Sequence, residues 1–376
     1  MNHWKPGQFA KILLALMLIV ALLVLTGCGG GTGDTTAPSE ESQEEVVDRD
    51  DDEDVDRKKG FAHFADEWVV PTIQPPLEFV GNDGFDEQIL CSTGPTIVTI
   101  SPEGDFLRRI VSSGKGYYDY PVLSPDGTRF VVNADYHEFI EPWEMMLLGD
   151  MDTGELIELE AAGDYYYYPA SWNHDGTKVI YTAYDEDWLA NIYYVDVDTM
   201  ESGIFLDLAE LPIDREVVET AKLHPNKNIL YFIALPEGEE DYGVFKYDLD
   251  EGVLEQVWTT EEEYVYDIAI SPRDDLLAIS AGMGITEEDM STMGLYLVYP
   301  EENKDELLFW EEDVQPIGVS FSPCGKYLAF DADTRVIENT WSIYIYDVDG
   351  RDGKLITRYI YDSHIEPFSP SWGIIP

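Results

Sequence analysis

Three stretches of this chain could do chemistry with a ligand. They are Tyr117-Tyr118-Asp119-Tyr120, the run Tyr165, Tyr166, Tyr167 and Tyr168, and Tyr264-Val265-Tyr266-Asp267. Each combines aromatic rings, carboxylates or both just before an apolar segment. Trp143 and Trp188 stand in comparable acidic surroundings, beside Glu138, Glu141 and Asp185, Glu186, Asp187. Tyr and Trp give wide contact area with one polar handle and little entropy loss, so they recur at binding surfaces. Interleaved carboxylates accept hydrogen bonds and attract cations, and aromatic faces do the same through their quadrupole. That chemistry is recognition: stacking on a sugar ring, or holding a Lys/Arg-rich peptide. The same rings could instead pack between structural units.

Bond-making chemistry has less to stand on. No Gly-x-Ser-x-Gly nucleophile elbow and no phosphate-cradling glycine loop occurs. Beyond the N-terminal segment, histidines stand at 63, 137, 174, 224 and 364, too scattered for a catalytic metal set. Asp347-Val348-Asp349-Gly350 looks like a calcium loop, but no Glu stands at its twelfth place, and a turn between strands fits better. No catalytic residue, metal or cofactor is therefore expected.

The elements that would position the aromatic stretches come from an internal repeat. "VLSPDGTRFVV", "SWNHDGTKVIY", "KLHPNKNILYF", "AISPRDDLLAI" and "SFSPCGKYLAF" place Pro125, His174, Pro225, Pro272 and Pro323 at spacings of 49, 51, 47 and 51. In each, an apolar strand runs into a tight turn; in its full form, Ser124-Pro125-Asp126-Gly127, Pro presets φ, Asp binds local backbone and Gly tolerates positive φ. A second hairpin follows, as in "FKYDLDEGVLEQVW". Four antiparallel strands per period of about fifty residues is one propeller blade. An incomplete copy, "GNDGFDEQILCST" and "TIVTISPEGDFLRRI", lies at the N-terminal end. Its missing inner strand matches "PSW" at 370–372. The expectation is an all-β, six-bladed β-propeller whose ring is closed by the C-terminal strand joining the N-terminal blade. Cys91 and Cys324 would then lie in neighbouring blades, where a disulfide is conceivable.

These repeats resemble the TolB-like β-propeller family, most closely at Ser124-Pro125-Asp126-Gly127 and Ser322-Pro323-Cys324-Gly325. The resemblance covers about residues 75–376. It implies a closed ring with a central channel, in a family that includes partner-binding periplasmic proteins, peptidase gates and a few lyases. In such blades the segment leading into the innermost strand, and the loop between the second and third strands, open on one face at the channel mouth. All the aromatic stretches above would then form loops on that face. The expected function is non-catalytic binding, by a monomer, of a protein or peptide partner, of which a cationic one would suit the acidic face. A carbohydrate-binding surface protein is the alternative, and a propeller lyase or hydrolase the second.

The ends complete the reading. Lys5 and Lys11, the apolar run from Ile12 to Leu25, and Leu25-Thr26-Gly27-Cys28 resemble a bacterial lipoprotein signal with Cys28 as the lipidated residue. Residues 1–27 are thus expected to be a signal peptide, 28–60 an acidic flexible tether, and 61–376 the propeller. The location would be extracytoplasmic, anchored to the cell membrane or outer membrane by lipid alone. Among 376 residues, 76 are Asp or Glu and 22 are Lys or Arg, a net charge of −54. Residues 1–60 hold only 12 of those acids and 6 of the bases, so most of the excess belongs to the folded part. Such a surface excludes nucleic acid as a partner. It also repels itself in dilute buffer and less so in brine, where the Debye length falls to about 3 Å. A melting temperature higher in molar NaCl than in dilute buffer is expected; no rise would remove the idea of a saline habitat.

Overall fold

The computed structural model describes residues 86–112, 117–135, 144–163, 165–260, 264–273, 276–282, 293–310, 314–334, 340–350, 352–355 and 368–376. Among these residues, 24 strands form six four-stranded antiparallel sheets. Blade 1 runs, from inside to outside, through Phe368–Ile374, Glu87–Ser92, Thr96–Ile100 and Phe106–Ser112. Blades 2 to 6 start with inner strands Tyr117–Leu123, Tyr165–Trp172, Ile213–Leu223, Tyr264–Ile270 and Val314–Phe321. Each inner strand touches those of both neighbouring blades, and the inner strand of blade 6 packs against that of blade 1. The ring is therefore closed, by the C-terminal strand in blade 1, as the repeat implies.

The repeated turn shows why these residues reverse the chain. Ser124 Oγ donates to Asp126 Oδ1 at 2.6 Å and accepts from the Arg129 amide at 2.9 Å. Asp126 Oδ1 also accepts from the Thr128 amide at 3.1 Å. Gly127 sits at φ 72°, and a Cβ there would collide with the Ile374 carbonyl, so this turn must carry glycine to pack on the closing strand. Behind the turns, Leu123, Trp172, Phe321 and Trp372 occupy one equivalent core position, each buried.

Two sets of side-chain bonds stitch neighbouring blades together at several seams. On inner strands, Ser371 Oγ accepts from the Leu123 amide at 2.9 Å, Ser171 Oγ from Leu223 at 2.6 Å, and Ser320 Oγ from Trp372 at 3.0 Å. On second strands, Ser92 donates to the Tyr118 carbonyl, Ser280 to that of Pro316, and Thr182 to that of Glu219 at 2.7 Å. Asp331 holds the same second-strand position in blade 6. It accepts from the amides of Gly318 and, at 2.9 Å, Ser369, so it fastens blade 6 to the closing strand.

Two expectations are corrected. The aromatic stretches are not loops: Tyr117–Tyr120, Tyr165–Tyr168 and Tyr264–Asp267 are the first halves of inner strands. They keep pairing with the second strand because register shifts absorb the irregular pattern, between Asp119 and Val122, Tyr165 and Ser171, and Val265 and Asp267. No disulfide joins Cys91 and Cys324. Both are free thiols: Cys91 is wholly buried in a strand, and Cys324 Sγ lies 3.3 Å from Ser322 Oγ within its own turn.

Candidate functional site

The inner strands enclose a central channel of about 500 Å³ that reaches from Tyr120 and Tyr266 at one end to Pro125 and Pro272 at the other. The register shifts decide what faces it. Tyr120 and Ser369 occupy the same repeat position in blades 2 and 1, and both adopt left-handed φ near 50°. That turn of the backbone brings the Tyr120 side chain to the channel, where the residue remains 45% exposed. It lies within electrostatic reach of Asp119, Asp331, Asp267 and Glu219. Burial first, and then those four carboxylates, push the Tyr120 phenol well above its ordinary range.

The carboxylates differ in how they are held. Asp267 Oδ1 pairs with Lys222 Nζ at 2.6 Å, and its Oδ2 accepts from the Val319 amide at 2.9 Å. Blades 4, 5 and 6 thus meet on one side chain. Asp331 is fully buried on two amides, yet burial outweighs them and pushes it up to about 7. Glu219 lines the channel from blade 4. The residue is half-buried there, and desolvation alone pushes its carboxyl up to about 7. Among the described residues nothing pairs with that carboxyl.

Around the mouth, the sequence-derived residues separate. Tyr117 is 62% exposed, its ring lying over Gly94. Tyr264 is 46% exposed and stands between Tyr242, at 5.1 Å between ring centroids, and Tyr266, at 6.5 Å. Trp188 is exposed at φ 61°, in a turn where Asp185 Oδ1 accepts from the amides of Asp187 and Leu189, each at 3.0 Å. Tyr120, Tyr266 and Asp267 line the channel itself, and Asp119 lies within electrostatic reach of Tyr120. Tyr118 is a correction: it alternates inward, is buried, and its amide donates to the Gly94 carbonyl at 2.7 Å, so it joins blades 1 and 2 and offers no surface. Of Tyr165, Tyr166, Tyr167 and Tyr168 the structure gives the strand position. Cys28 and Trp143 lie outside the described residues.

Glu219, Lys222 and Asp331 escape a reading that looks for aromatic clusters. For Glu219 a signal exists: counting back from the turn, it occupies the position of Asp119, Tyr168 and Tyr266 in their blades. Among the described residues no group of His, Cys, Asp and Glu is arranged to hold a metal ion.

No protein-family model and no curated protein matches the sequence. Solved structures do match. TolB from Acinetobacter baumannii aligns with a TM-score of 0.59 and 17% identity, over 77% of this chain and 66% of that one. A chain of the nidogen/laminin complex gives 0.56 and 10% identity, over 76% of this chain and 98% of that one. Hydrazine synthase of Kuenenia stuttgartiensis gives 0.55 and 10%, over 80% and 50% respectively. The chain thus spans just under two thirds of the TolB chain and half of the synthase chain. At such identities the likeness is one of architecture, which hosts many functions. Together with the six four-stranded blades and the Ser-Pro-Asp-Gly turns, it makes this chain a TolB-like β-propeller in fold.

Proposed function

We propose that this protein is a non-catalytic scaffold that takes a protein or peptide partner on the mouth face of its channel, held outside the cytoplasm by lipid on Cys28. The carrying observation is that Tyr120 and Trp188, both exposed aromatics on that face, are held in left-handed backbone. For residues other than Gly such a conformation costs roughly 1–3 kcal/mol and persists where the surroundings impose it, often at ligand contacts. The Asp185 turn imposes it at Trp188, and the inner-strand bulge imposes it at Tyr120. The acidic surroundings favour a cationic partner. A chain of the same architecture was solved within a nidogen/laminin complex, which supports use of such a ring for protein contact.

Trp188→Gly separates function from stability. Glycine suits φ 61°, so the variant is expected to melt no lower than wild type, while capture of the partner from a cell-envelope extract falls severalfold. Unchanged capture would sink the mouth-face reading. Tyr117, Trp188 and Tyr264 also offer flat exposed rings for a sugar, which favours carbohydrate as the second reading. Capture that weakens as NaCl rises supports a cationic protein; capture indifferent to salt but lost in Trp188→Gly supports a glycan.

A further inference from the structure

We propose that the channel seats the primary ammonium group of a flexible organic cation, with Glu219 as its counter-ion and Tyr120 and Tyr266 beside it. This rests on the partner-binding reading above and names the chemistry of what enters the channel.

The argument is one of acceptors already used and one still free. Lys222 is engaged by Asp267 at 2.6 Å, and the second oxygen of Asp267 is engaged by the Val319 amide. The two oxygens of Asp331 are engaged by the amides of Gly318 and Ser369. Glu219 differs. It lines the channel half-buried, and no cation or donor among the described residues reaches its carboxyl. A partly desolvated, unpaired carboxylate is costly, and the protein meets that cost by raising its proton affinity. A ligand that supplies the missing charge would be favoured by the same energy.

The donor set selects the ligand. Calcium or magnesium needs six or more oxygens in a shell, and no group of metal-ligating side chains assembles among the described residues. One free carboxylate in a channel also lined by the phenols of Tyr120 and Tyr266 instead suits an alkylammonium, whose three N–H donors can meet a carboxylate and a phenol oxygen while the charge faces a ring. Tyr120 stays neutral, because burial and its acidic neighbours hold its proton. A volume of about 500 Å³, within the ordinary range for small-ligand sites, leaves room for the chain that carries the charge.

The test is calorimetric titration of the full chain with 1,5-diaminopentane, with N-acetyl-lysine methylamide, and with the uncharged N-acetyl-norleucine methylamide. The two amines should bind and the norleucine analogue should not. Glu219→Gln should weaken amine binding at least tenfold, and Glu219→Asp should retain part of it. Affinity should rise between pH 6 and pH 8 as Glu219 loses its proton. Equal binding of charged and uncharged probes, or undiminished binding in a folded Glu219→Gln variant, overturns the proposal. Tighter binding of the diamine points to a free amine as the source; tighter binding of the lysine derivative points to a side chain of the partner. If Glu219→Gln captures the envelope partner as wild type does while Trp188→Gly does not, the ammonium site falls and the mouth-face reading stands. If Trp188→Gly captures normally while Glu219→Gln loses the amines, the reverse holds.

Discussion

A chain ending at Pro367 is expected to lose cooperative folding. The missing segment, Phe368–Pro376, supplies the whole inner strand of blade 1, paired with Glu87–Ser92 from Glu87 opposite Ile374 to Ser92 opposite Phe368. Its loss also removes the bonds Ser371–Leu123, Ser320–Trp372 and Asp331–Ser369 that join blade 1 to blades 2 and 6. The Trp372 indole goes too, stacked 6.1 Å from the Tyr327 ring and donating to Glu87 at 2.8 Å. A buried aromatic is worth about 3–5 kcal/mol and each hydrogen bond about 1 kcal/mol net. Together they are comparable with the roughly 5–15 kcal/mol that stabilises a whole domain. Ile89 and Leu90, fully buried in the ring, would meet water along an unpaired strand edge. Limited proteolysis and denaturant titration measure the effect. A truncated chain with the wild-type midpoint and the same protease resistance would show that the seam does not hold the ring.

Stability should also fall as pH rises from about 4 to about 8, and Glu219→Gln should flatten that slope. Glu219 and Asp331 are pushed up to about 7 in the folded state by burial. Between their ordinary carboxylate range and 7, the folded chain therefore binds more protons than the unfolded one. Their contribution is present below about pH 4 and is lost as pH passes through 7. The turn aspartates Asp150 and Asp196 act in the opposite sense. Backbone amides of their own turns hold them below the usual range, so their contribution is present above it and lost in acid. The two effects place maximum stability at mildly acidic pH. Removing the Glu219 charge should stabilise the protein at pH 8 by up to roughly 3 kcal/mol, taking 1.36 kcal/mol per unit as the ceiling. Denaturant unfolding of wild type and variant at pH 5, 6, 7 and 8 tests this. Parallel curves would mean that channel water reaches Glu219 in the folded ring as freely as in the unfolded chain.

The architecture was legible because its turns are written in residue types with strong local preferences. Ser-Pro-Asp-Gly or a partial copy of it recurs about every fifty residues, and "PSW" at 370–372 repeats the inner-strand end closely enough to show where the ring shuts. The first halves of the inner strands were not legible. A strand with a bulge breaks strict alternation, so "YYDY" and "YYYY" read as loops, and Tyr118 was placed on a surface that it does not reach. The free carboxylate of Glu219 was hidden for another reason. In a chain with 76 acids one Glu carries no information, and only its place relative to the turn, together with the packing around it, sets it apart. Asp331 is hidden similarly: its blade partners Ser92, Thr182 and Ser280 do the same stitching with uncharged hydroxyls.

The closing strand also dictates an order of assembly. Within blades 2 to 6 every strand pairs with its neighbour in sequence, so each sheet can form as soon as its own fifty residues are free to fold. Glu87–Ser92 cannot. Its inner neighbour, Phe368–Ile374, lies about 280 residues further along the chain, and the edge stays open until that strand arrives. Through that interval Ile89, Leu90 and Cys91 form an apolar strand with an open side, the stage at which a nascent ring is most open to a wrong strand or most in need of a chaperone.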